Sequence, residues 1–470
     1  MTAPLARHRY HRPTLKAPTT RPLYSAVDHG HPIALSADVL LHGSRDGWGG
    51  LADRFQSLNR AALDALDLQL RLDSNLTGSR LHVIPGGRAG AIPLRSPITG
   101  EVAAGLLIKP RFGWSGVGQV LHQTGWHAAP DVLEMPVVPG SASEVPPWVL
   151  AGPVLSRLAD LLRDLKRGYE FIDDTRAQPK GTIRWAEYAS RHVPRGDLHH
   201  VPCRYPDLGV DPAIVRAVRW TLERLHGELA RVGGRDRIAS TLVQLALLLM
   251  EKVKHARSER PRPETLHQIL ATNPYLAGAI RRGLQAIGWI VEERGLGGTD
   301  TSDGLAWSLP LEVLWEHYVE SHYRSESRMS GATIRVGRLG ETTFQIRWRQ
   351  PFQRSLSHLL PDLVLQRGRE IHVVDAKYKA HFTELDELGW REFQDEERSA
   401  HRSDVHQVLA YAGLFDAEHV TATLVYPLRR DTYLALAERG QDRSIATLYH
   451  GNREVSLELR GLPFGSLVHV

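Results

Sequence analysis

The chain has 470 residues, with 58 Lys and Arg side chains against 53 Asp and Glu, a formal net charge of +5 and one cysteine, Cys203. A single cysteine excludes an intrachain disulfide and a zinc finger, and it is typical of a reducing compartment, here the cytoplasm. The longest mainly apolar run, 242–250, is too short to span a bilayer, so no membrane association is expected. A charge this close to balance does not by itself demand a nucleic-acid partner.

The pattern along the chain predicts an α+β multidomain protein that begins with a basic arm. Residues 1–34 include several arginines and no acid before Asp28. They also lack the apolar core of a secretory signal. We therefore expect a basic flexible arm in this stretch.

Residues 35–147 predict a β-rich N-terminal domain. Strand patterns at 81–87 and 103–108 alternate with Gly and Pro turns. Apolar spacing also predicts one helix in this region, from Leu51 to Leu72.

Residues 148–310 predict a helical middle region that follows a linker at 141–147. Apolar side chains recur at helical spacing from Val154 to Leu165. Asp211 followed by a proline is an N-cap signal for a second helix, and Ile238 to Val253 predicts a third.

The last region, 311–470, holds the most informative segment. Two apolar runs flank a polar turn that contains Gly368, a pattern that predicts a β-hairpin. Folding the hairpin about Gly368 places Asp362 roughly opposite Asp375. Because strand side chains alternate faces, Asp375 and Lys377 then share one face. Two carboxylates and an ammonium group are expected to converge at the end of this hairpin.

This trio suits a divalent metal and a phosphodiester. Nearby carboxylates raise each other's pKa unless a cation neutralises them, and their oxygens suit Mg²⁺ or Mn²⁺. A bound metal polarises a phosphodiester and activates water, and an adjacent lysine can orient that water. The alternative is a surface hairpin whose Asp375 and Lys377 form a solvated ion pair. The apolar run of Ile371, Val373 and Val374 favours a buried strand over that alternative.

Two further elements add candidate residues. Residues 404–412 predict a helix with Gln407 and Tyr411 on one face. The helix that precedes the hairpin offers Glu316. Taken alone, such a segment is more often a helix with a half-buried tyrosine, here Tyr411. Glu316 could equally be a solvated helix glutamate.

The stretch from Ser321 to Leu360 is basic, with seven arginines and two acids, and it leads directly into the hairpin. Arg347 and Arg349 flank a tryptophan, as on surfaces that track a phosphate backbone. The alternative is a solvated strand with alternating arginines. We favour DNA contacts by Arg347, Arg349 and Arg354.

The order of these pieces resembles the PD-(D/E)xK nuclease superfamily, in its RecB-like branch with a Gln-x-x-x-Tyr helix. The resemblance implies a three-layer α/β core with a mixed sheet, and Mg²⁺ or Mn²⁺ as cofactor. It implies metal ligation by Asp362 and Asp375, assistance of the attacking water by Lys377, and substrate placement by Gln407 and Tyr411. Glu316 matches the further acid that many members have on the preceding helix.

More of the chain resembles the McrC-like nuclease subunits of modification-dependent restriction systems. The matching segments are Leu107 to Phe112, Lys166 to Tyr169, Pro179 to Trp185, Cys203 to Tyr205, Asp404 to Tyr411 and Leu424 to Pro427. This resemblance implies a DNA endonuclease that acts with a separate AAA+ NTPase ring, of the McrB type. It also implies that residues 35–147 contact that ring.

Two other functions stay open at this stage. The sequence has no Gly-x-x-x-x-Gly-Lys-Ser/Thr motif, so this chain does not hydrolyse NTP through a P-loop of its own. A nuclease without a motor could be a stand-alone repair enzyme with the same core. Alternatively, the chain could be a non-catalytic adaptor that stimulates a ring NTPase.

Overall fold

The computed structural model describes residues 21–42, 47–75, 78–126, 128–165, 168–209, 212–234, 236–272, 278–292, 303–349, 356–379, 395–450 and 453–465. Within these ranges the protein is α+β, with several sheets. None of the helices in those ranges combines the length and the hydropathy that crossing a bilayer requires.

The strands are β1 (Leu23–Val27), β2 (Ile33–Ala34), β3 (Gln69–Asn75), β4 (Gly78–Ile84), β5 (Arg88–Arg95), β6 (Val102–Lys109), β7 (Asp131–Val132), β8 (Gly168–Arg176), β9 (Thr182–Ile183), β10 (Val201–Gly209), β11 (Trp307–Pro310), β12 (Thr333–Val336), β13 (Phe344–Gln345), β14 (His358–Leu359), β15 (Leu363–Arg367), β16 (Glu370–Ala376), β17 (His419–Leu428), β18 (Arg443–His450) and β19 (Arg453–Pro463). The helices are α1 (Ala37–Leu40), α2 (Gly47–Ala65), α3 (Gly113–Gln123), α4 (Trp148–Asp164), α5 (Trp185–Glu187), α6 (Pro212–Gly233), α7 (Arg237–Lys252), α8 (Pro263–Thr272), α9 (Gly278–Val291), α10 (Leu311–Ser330), α11 (Asp395–Ala412) and α12 (Arg430–Glu438).

The N-terminal part contains two sheets, with strand orders β1-β6-β5-β11-β7 and β2-β4-β3. Residues 1–20 of the expected arm lie outside the described residues. The rest of the arm differs from the prediction, because β1 pairs in parallel with β6, from Leu23 opposite Gly105 to Val27 opposite Lys109. Ordered structure therefore begins well before residue 35.

The helix predicted from Leu51 to Leu72 is α2, and the predicted C-terminal end is wrong. The helix stops at Ala65, and Asp67 follows with a φ of 52°, which is incompatible with a continuing helix. Leu70 and Leu72 belong to β3. Leu70 and Leu72 are two positions apart, which is the spacing of a strand. Leu70 also happens to fit the helical spacing of the preceding residues, and this is why the predicted helix was too long.

The middle of the chain packs α4, α6, α7 and α9 around a large apolar cluster. The predicted helical stripes are buried as expected, for example at Val154, Leu158, Val218 and Leu222. The region is not wholly helical, because β8, β10 and β9 form an antiparallel sheet. Residues 173–176 at the end of β8 are all exposed, so this part of the strand lacks the apolar alternation by which a strand is recognised.

The C-terminal part is a six-stranded mixed sheet in the order β12-β15-β16-β17-β19-β18. β16, β17 and β19 are mutually parallel, and the remaining pairs are antiparallel. On one face, Trp315 of α10 packs in a cluster with Val374 and donates a 3.2 Å hydrogen bond to the Val425 carbonyl. On the other face, Tyr411 of α11 packs in a cluster with Val373. The sheet therefore lies between two helical layers.

Candidate active site

The candidate site begins at the β15–β16 hairpin. Gly368 has a φ of 62° and is the first residue of a two-residue turn, a position where glycine avoids steric strain. The ladder pairs Leu363 with Val374, so the next position sets Asp362 against Asp375. Asp362 Oδ2 accepts a 2.8 Å hydrogen bond from the Ala376 amide. The hairpin thus brings the two acids together at its open end.

Lys377 follows the last residue of β16 and connects the acids to α11. Its Nζ lies 2.7 Å from Asp375 Oδ2 and donates a 3.0 Å hydrogen bond to Gln407 Oε1. Gln407 Nε2 in turn donates to the Tyr411 hydroxyl at 2.8 Å. Because Gln407 and Tyr411 are one helical turn apart, α11 presents both to the hairpin.

The carboxyl groups of this site influence each other. Burial raises the pKa of Asp362 well above its ordinary value, and the charges of Asp375 and Glu316 raise it further. Burial also raises the pKa of Asp375, against the opposing effect of Lys377. The pKa of Glu316 is raised by burial, then by Glu312 and then by Asp375. Glu316 on α10 therefore lies within electrostatic reach of the acid pair.

Lys377 remains a cation in this environment. Burial acts to lower its pKa, but Asp375, Asp404 and Asp362 outweigh that effect and the pKa is raised. Because Lys379 pairs with Asp404, the Lys377 ammonium is left to face both Asp375 and Asp362, and the site has a surplus of negative charge when those two acids are ionised. A divalent cation would relieve that surplus.

The donor set fits a magnesium or manganese ion. Asp375 Oδ2 is buried, and its neighbour among the described residues is the Lys377 ammonium at 2.7 Å. Within the described ranges no cluster of three or more His, Cys, Asp or Glu side chains is arranged to hold a metal. Mg²⁺ often takes only one or two carboxylates and completes its coordination with water and phosphate oxygens. Asp362 and Asp375 suit that mode of binding.

A comparison with models of known protein families shows to which family this chain belongs. A model of the "McrBC 5-methylcytosine restriction system component" family matches residues 154–427, which is more than half of the sequence. The chain belongs to this family. The sequence-based prediction of an McrBC-type chain is therefore confirmed at the level of the family, and the matched segment includes every catalytic candidate from Glu316 to Tyr411.

Two solved structures from Thermococcus gammatolerans are similar to this McrBC family member. A half-complex from a tetradecameric assembly of McrB AAA+ hexamers with bound McrC shows 11% identity and a TM-score of 0.39, covering 95% of this chain and 96% of that one. A cryo-EM structure of the McrBC complex shows 11% identity and a TM-score of 0.26, covering 64% of this chain and 87% of that one. TM-scores this low give no residue correspondence. No curated protein matches the chain.

The structure adds a pair that the sequence-based reasoning did not assign. Lys379 Nζ lies 2.8 Å from both carboxylate oxygens of Asp404, which is 5% exposed. The pair ties the chain just after Lys377 to α11, the same helix that holds Gln407. Asp404 had been noted only as part of the family pattern, since nothing in the sequence pairs two residues 25 positions apart.

A second unforeseen contact comes from the N-terminal strand. The Tyr378 hydroxyl donates a 3.0 Å hydrogen bond to Asp28 Oδ2 across 350 residues of sequence. Tyr378 immediately follows Lys377. No sequence signal indicated this contact, because Asp28 fell in the stretch expected to be a flexible arm.

The expected DNA-contacting arginines are placed only in part. Arg347 and Arg349 are exposed in the segment after β13, whose partner β14 leads to Asp362. The alternative, a solvated strand with alternating arginines, is not what the structure has at these two residues, because β13 ends at Gln345. Arg354 lies outside the described residues.

Proposed function

We propose that this chain is the metal-dependent DNA endonuclease subunit of a McrBC-type restriction system, with a PD-(D/E)xK core of the Gln-x-x-x-Tyr branch. Family membership supports the restriction system. A mixed six-stranded sheet between two helical layers supports the proposed core. In this proposal residues 311–470 cleave DNA, residues 148–310 form the connecting middle region and residues 35–147 contact a partner.

One observation carries the proposal: buried Asp375 and half-buried Asp362 meet a lysine at the open end of a hairpin. Asp375 is 2% exposed, and its Oδ2 lies 2.7 Å from Lys377 Nζ. A structural ion pair would need one acid, but here Asp362 is set against the same site by the ladder register. Surplus buried acid is costly unless it serves a bound cation.

Each candidate residue has a distinct task in hydrolysis of a phosphodiester. Asp362 and Asp375 would hold Mg²⁺ or Mn²⁺, and Glu316 would add a ligand, directly or through water. The metal, when bound, supplies Lewis-acid polarisation of the phosphate and lowers the pKa of water. Lys377 orients the attacking water and offsets the charge that develops on the phosphate oxygens. Gln407 fixes the Lys377 ammonium, and Tyr411 fixes Gln407, so α11 sets the angle at which that ammonium faces the substrate.

DNA contact and DNA translocation would be carried out by different parts of the complex. Arg347, Arg349 and Arg354 would neutralise backbone phosphates as the strand approaches the hairpin. No P-loop motif occurs in the sequence, so translocation would come from a separate AAA+ GTPase or ATPase ring of the McrB type. McrC of Thermococcus gammatolerans is bound to such McrB AAA+ hexamers.

The decisive experiment removes one aspartate and measures DNA cleavage. Asp375→Ala should abolish cleavage of 5-methylcytosine-containing DNA in Mg²⁺ while circular dichroism shows an intact fold. Glu370→Ala is the matched control, because Glu370 lies on the same strand but is exposed beside the hairpin turn. Full cleavage by Asp375→Ala would refute the proposal.

The same assay separates the rival functions. The wild-type chain is incubated with linear and circular DNA, alone and with an AAA+ protein that co-purifies with it. Robust cleavage by the chain alone, without that protein, would favour a stand-alone repair nuclease. Stimulation of NTP hydrolysis with no cleavage under any metal would favour an adaptor.

A further inference from the structure

The first observation concerns Asp28, which directly follows the end of β1 and is only 1% exposed. Its Oδ1 accepts a 2.5 Å hydrogen bond from the Arg111 amide, and its Oδ2 lies 3.5 Å from Arg111 Nε. The same Oδ2 accepts the bond from the Tyr378 hydroxyl at 3.0 Å. A buried carboxylate is costly unless its oxygens are hydrogen-bonded and its charge is paired, and here Arg111 and Tyr378, from two separate parts of the chain, are its partners.

The second observation concerns the fit of the Tyr378 ring. Tyr378 is 3% exposed, and the Arg111 guanidinium lies 4.4 Å from its ring centroid. Phe112 and Phe464 contact the ring at centroid distances of 5.8 and 6.0 Å. Such packing leaves the ring little rotational freedom, so the backbone of Tyr378 is fixed relative to the N-terminal sheet.

The third observation concerns what holds Lys377 itself. β16 ends at Ala376, and the Lys377 amide makes a 2.8 Å bond to the Val425 carbonyl. The next two residues are held by their side chains. Tyr378 bonds to Asp28 beside the N-terminal sheet, and Lys379 pairs with Asp404 on α11. Lys377 therefore lies between the end of β16 and two successive anchors, Tyr378 and Lys379, which contact different parts of the molecule.

We propose that Asp28, Arg111 and Tyr378 are positioning residues that fix Lys377 and thereby connect the N-terminal sheet to phosphodiester cleavage. The inference rests on the proposed nuclease function. It deepens that function by assigning a role to β1, a strand of the region expected to meet the partner NTPase. Displacement of β1 relative to the C-terminal sheet would move Tyr378 and misalign the ammonium, so the N-terminal region controls the chemistry through a direct contact.

The test uses substitutions that remove single polar atoms from the full-length chain. Tyr378→Phe keeps the ring and deletes the hydroxyl, and Asp28→Asn keeps the shape and deletes the charge. Tyr318→Phe is the matched control, because Tyr318 is equally buried and its hydroxyl donates to the Gly465 carbonyl, without contacting β1. We expect single-turnover cleavage at saturating DNA and Mg²⁺ to fall about tenfold in the first two variants, with DNA affinity unchanged, since small misplacements of a catalytic group cost one to two orders of magnitude. The double variant should be no slower than the slower single variant.

A second readout does not depend on cleavage. Hydrogen exchange at the Lys377 amide should accelerate about tenfold in Tyr378→Phe and in Asp28→Asn, and stay unchanged in Tyr318→Phe, because local opening follows the loss of an anchor. Unchanged exchange and unchanged cleavage in the first two variants would overturn the inference, as would an equal loss of rate in the control. If exchange responds as expected but the wild-type protein cleaves no DNA under any condition, the positioning contact stands and the proposed nuclease function fails.

Discussion

The two faces of β16 carry buried polar clusters of opposite character. His372 and Asp375 are three residues apart on this strand, so their side chains point to opposite faces. On the face toward α10, His372 Nε2 lies 2.8 Å from the Thr423 hydroxyl, which donates at 2.8 Å to Glu458 Oε2. On the face toward α11, Asp375 shares one lysine with a second acid. The first cluster links its members to each other, whereas the second has more acid than its own cation can balance.

From this difference we propose that the cluster on the α10 face is structural and that the cluster on the α11 face is functional. On the α10 face, Arg460 pairs with Glu326 at 3.4 Å and bonds the Tyr323 hydroxyl at 3.2 Å, so its charge is matched within the protein. On the α11 face, burial raises the pKa of both Asp362 and Asp375. Unbalanced buried charge is retained by proteins chiefly where a ligand or a reaction needs it. Substitutions on the two faces should therefore have different consequences.

Removing the lysine should affect catalysis far more than metal binding. Lys377→Met is expected to slow single-turnover cleavage by about 10²–10³-fold, the range found when one charge-stabilising donor is removed. Mg²⁺ affinity, measured by calorimetry, should stay equal or increase, because a competing cation leaves the acid pair. Cleavage within about threefold of wild type would contradict the assigned role of Lys377.

The α10 face should respond in the opposite way. Thr423 is fully buried, and Thr423→Val deletes the hydroxyl that bridges His372 and Glu458 while it keeps the side-chain shape. Two buried polar groups lose a partner, so we expect the free energy of unfolding to fall by about 1–3 kcal/mol. Cleavage per folded molecule should match wild type at a temperature well below the transition. A loss of cleavage without a loss of stability would show that this cluster is also functional.

The sequence predicted the hairpin because every local signal agreed. Two apolar runs and a glycine at the turn between them fix a two-residue hairpin, and its register then sets Asp362 against Asp375 without tertiary information. Gln407 and Tyr411 were foreseeable for the same reason, since a helical turn brings them together. The acid pair of the hairpin and the Gln407–Tyr411 pair of the helix are thus each a consequence of local structure.

The contacts that were missed all join distant segments. Asp28 meets Tyr378 across 350 residues, and Lys379 meets Asp404 across 25, and no periodicity in the chain encodes either pairing. The β8–β10 sheet was missed because β8 ends in exposed polar residues at 173–176, which lack the alternation that marks a half-buried strand, and because β10 contains two prolines. Local patterns define elements, whereas packing of remote elements decides which polar groups meet.

The acid pair should cost stability when no metal is present. The pKa of Asp362 is raised in the folded protein, so its contribution to stability is full below the ordinary pKa of about 4 and is lost as pH rises through the higher folded value. Asp362→Asn abolishes this titration and should stabilise the metal-free protein near pH 7 by about 1 kcal/mol, with the gain vanishing toward about pH 4. Calorimetric melting in EDTA across this pH range measures the effect, with exposed Glu370→Gln as control. A variant less stable than wild type at neutral pH would refute the proposed charge surplus.

The smallest effect concerns the exposed arginines before the hairpin. Arg347→Gln and Arg349→Gln should each weaken DNA binding only a few-fold, independently of sequence, because each removes one phosphate interaction in water. The slope of log affinity against log salt concentration should become shallower by about 1 for each arginine replaced. Arg367→Gln is the matched control, because this exposed arginine is paired with Glu370 at 2.8 Å at the opposite end of the hairpin. If the Arg367 variant changes the salt slope as much as the other two variants do, DNA does not approach the site along the segment after β13. DNA would then reach Asp362 and Asp375 from another direction.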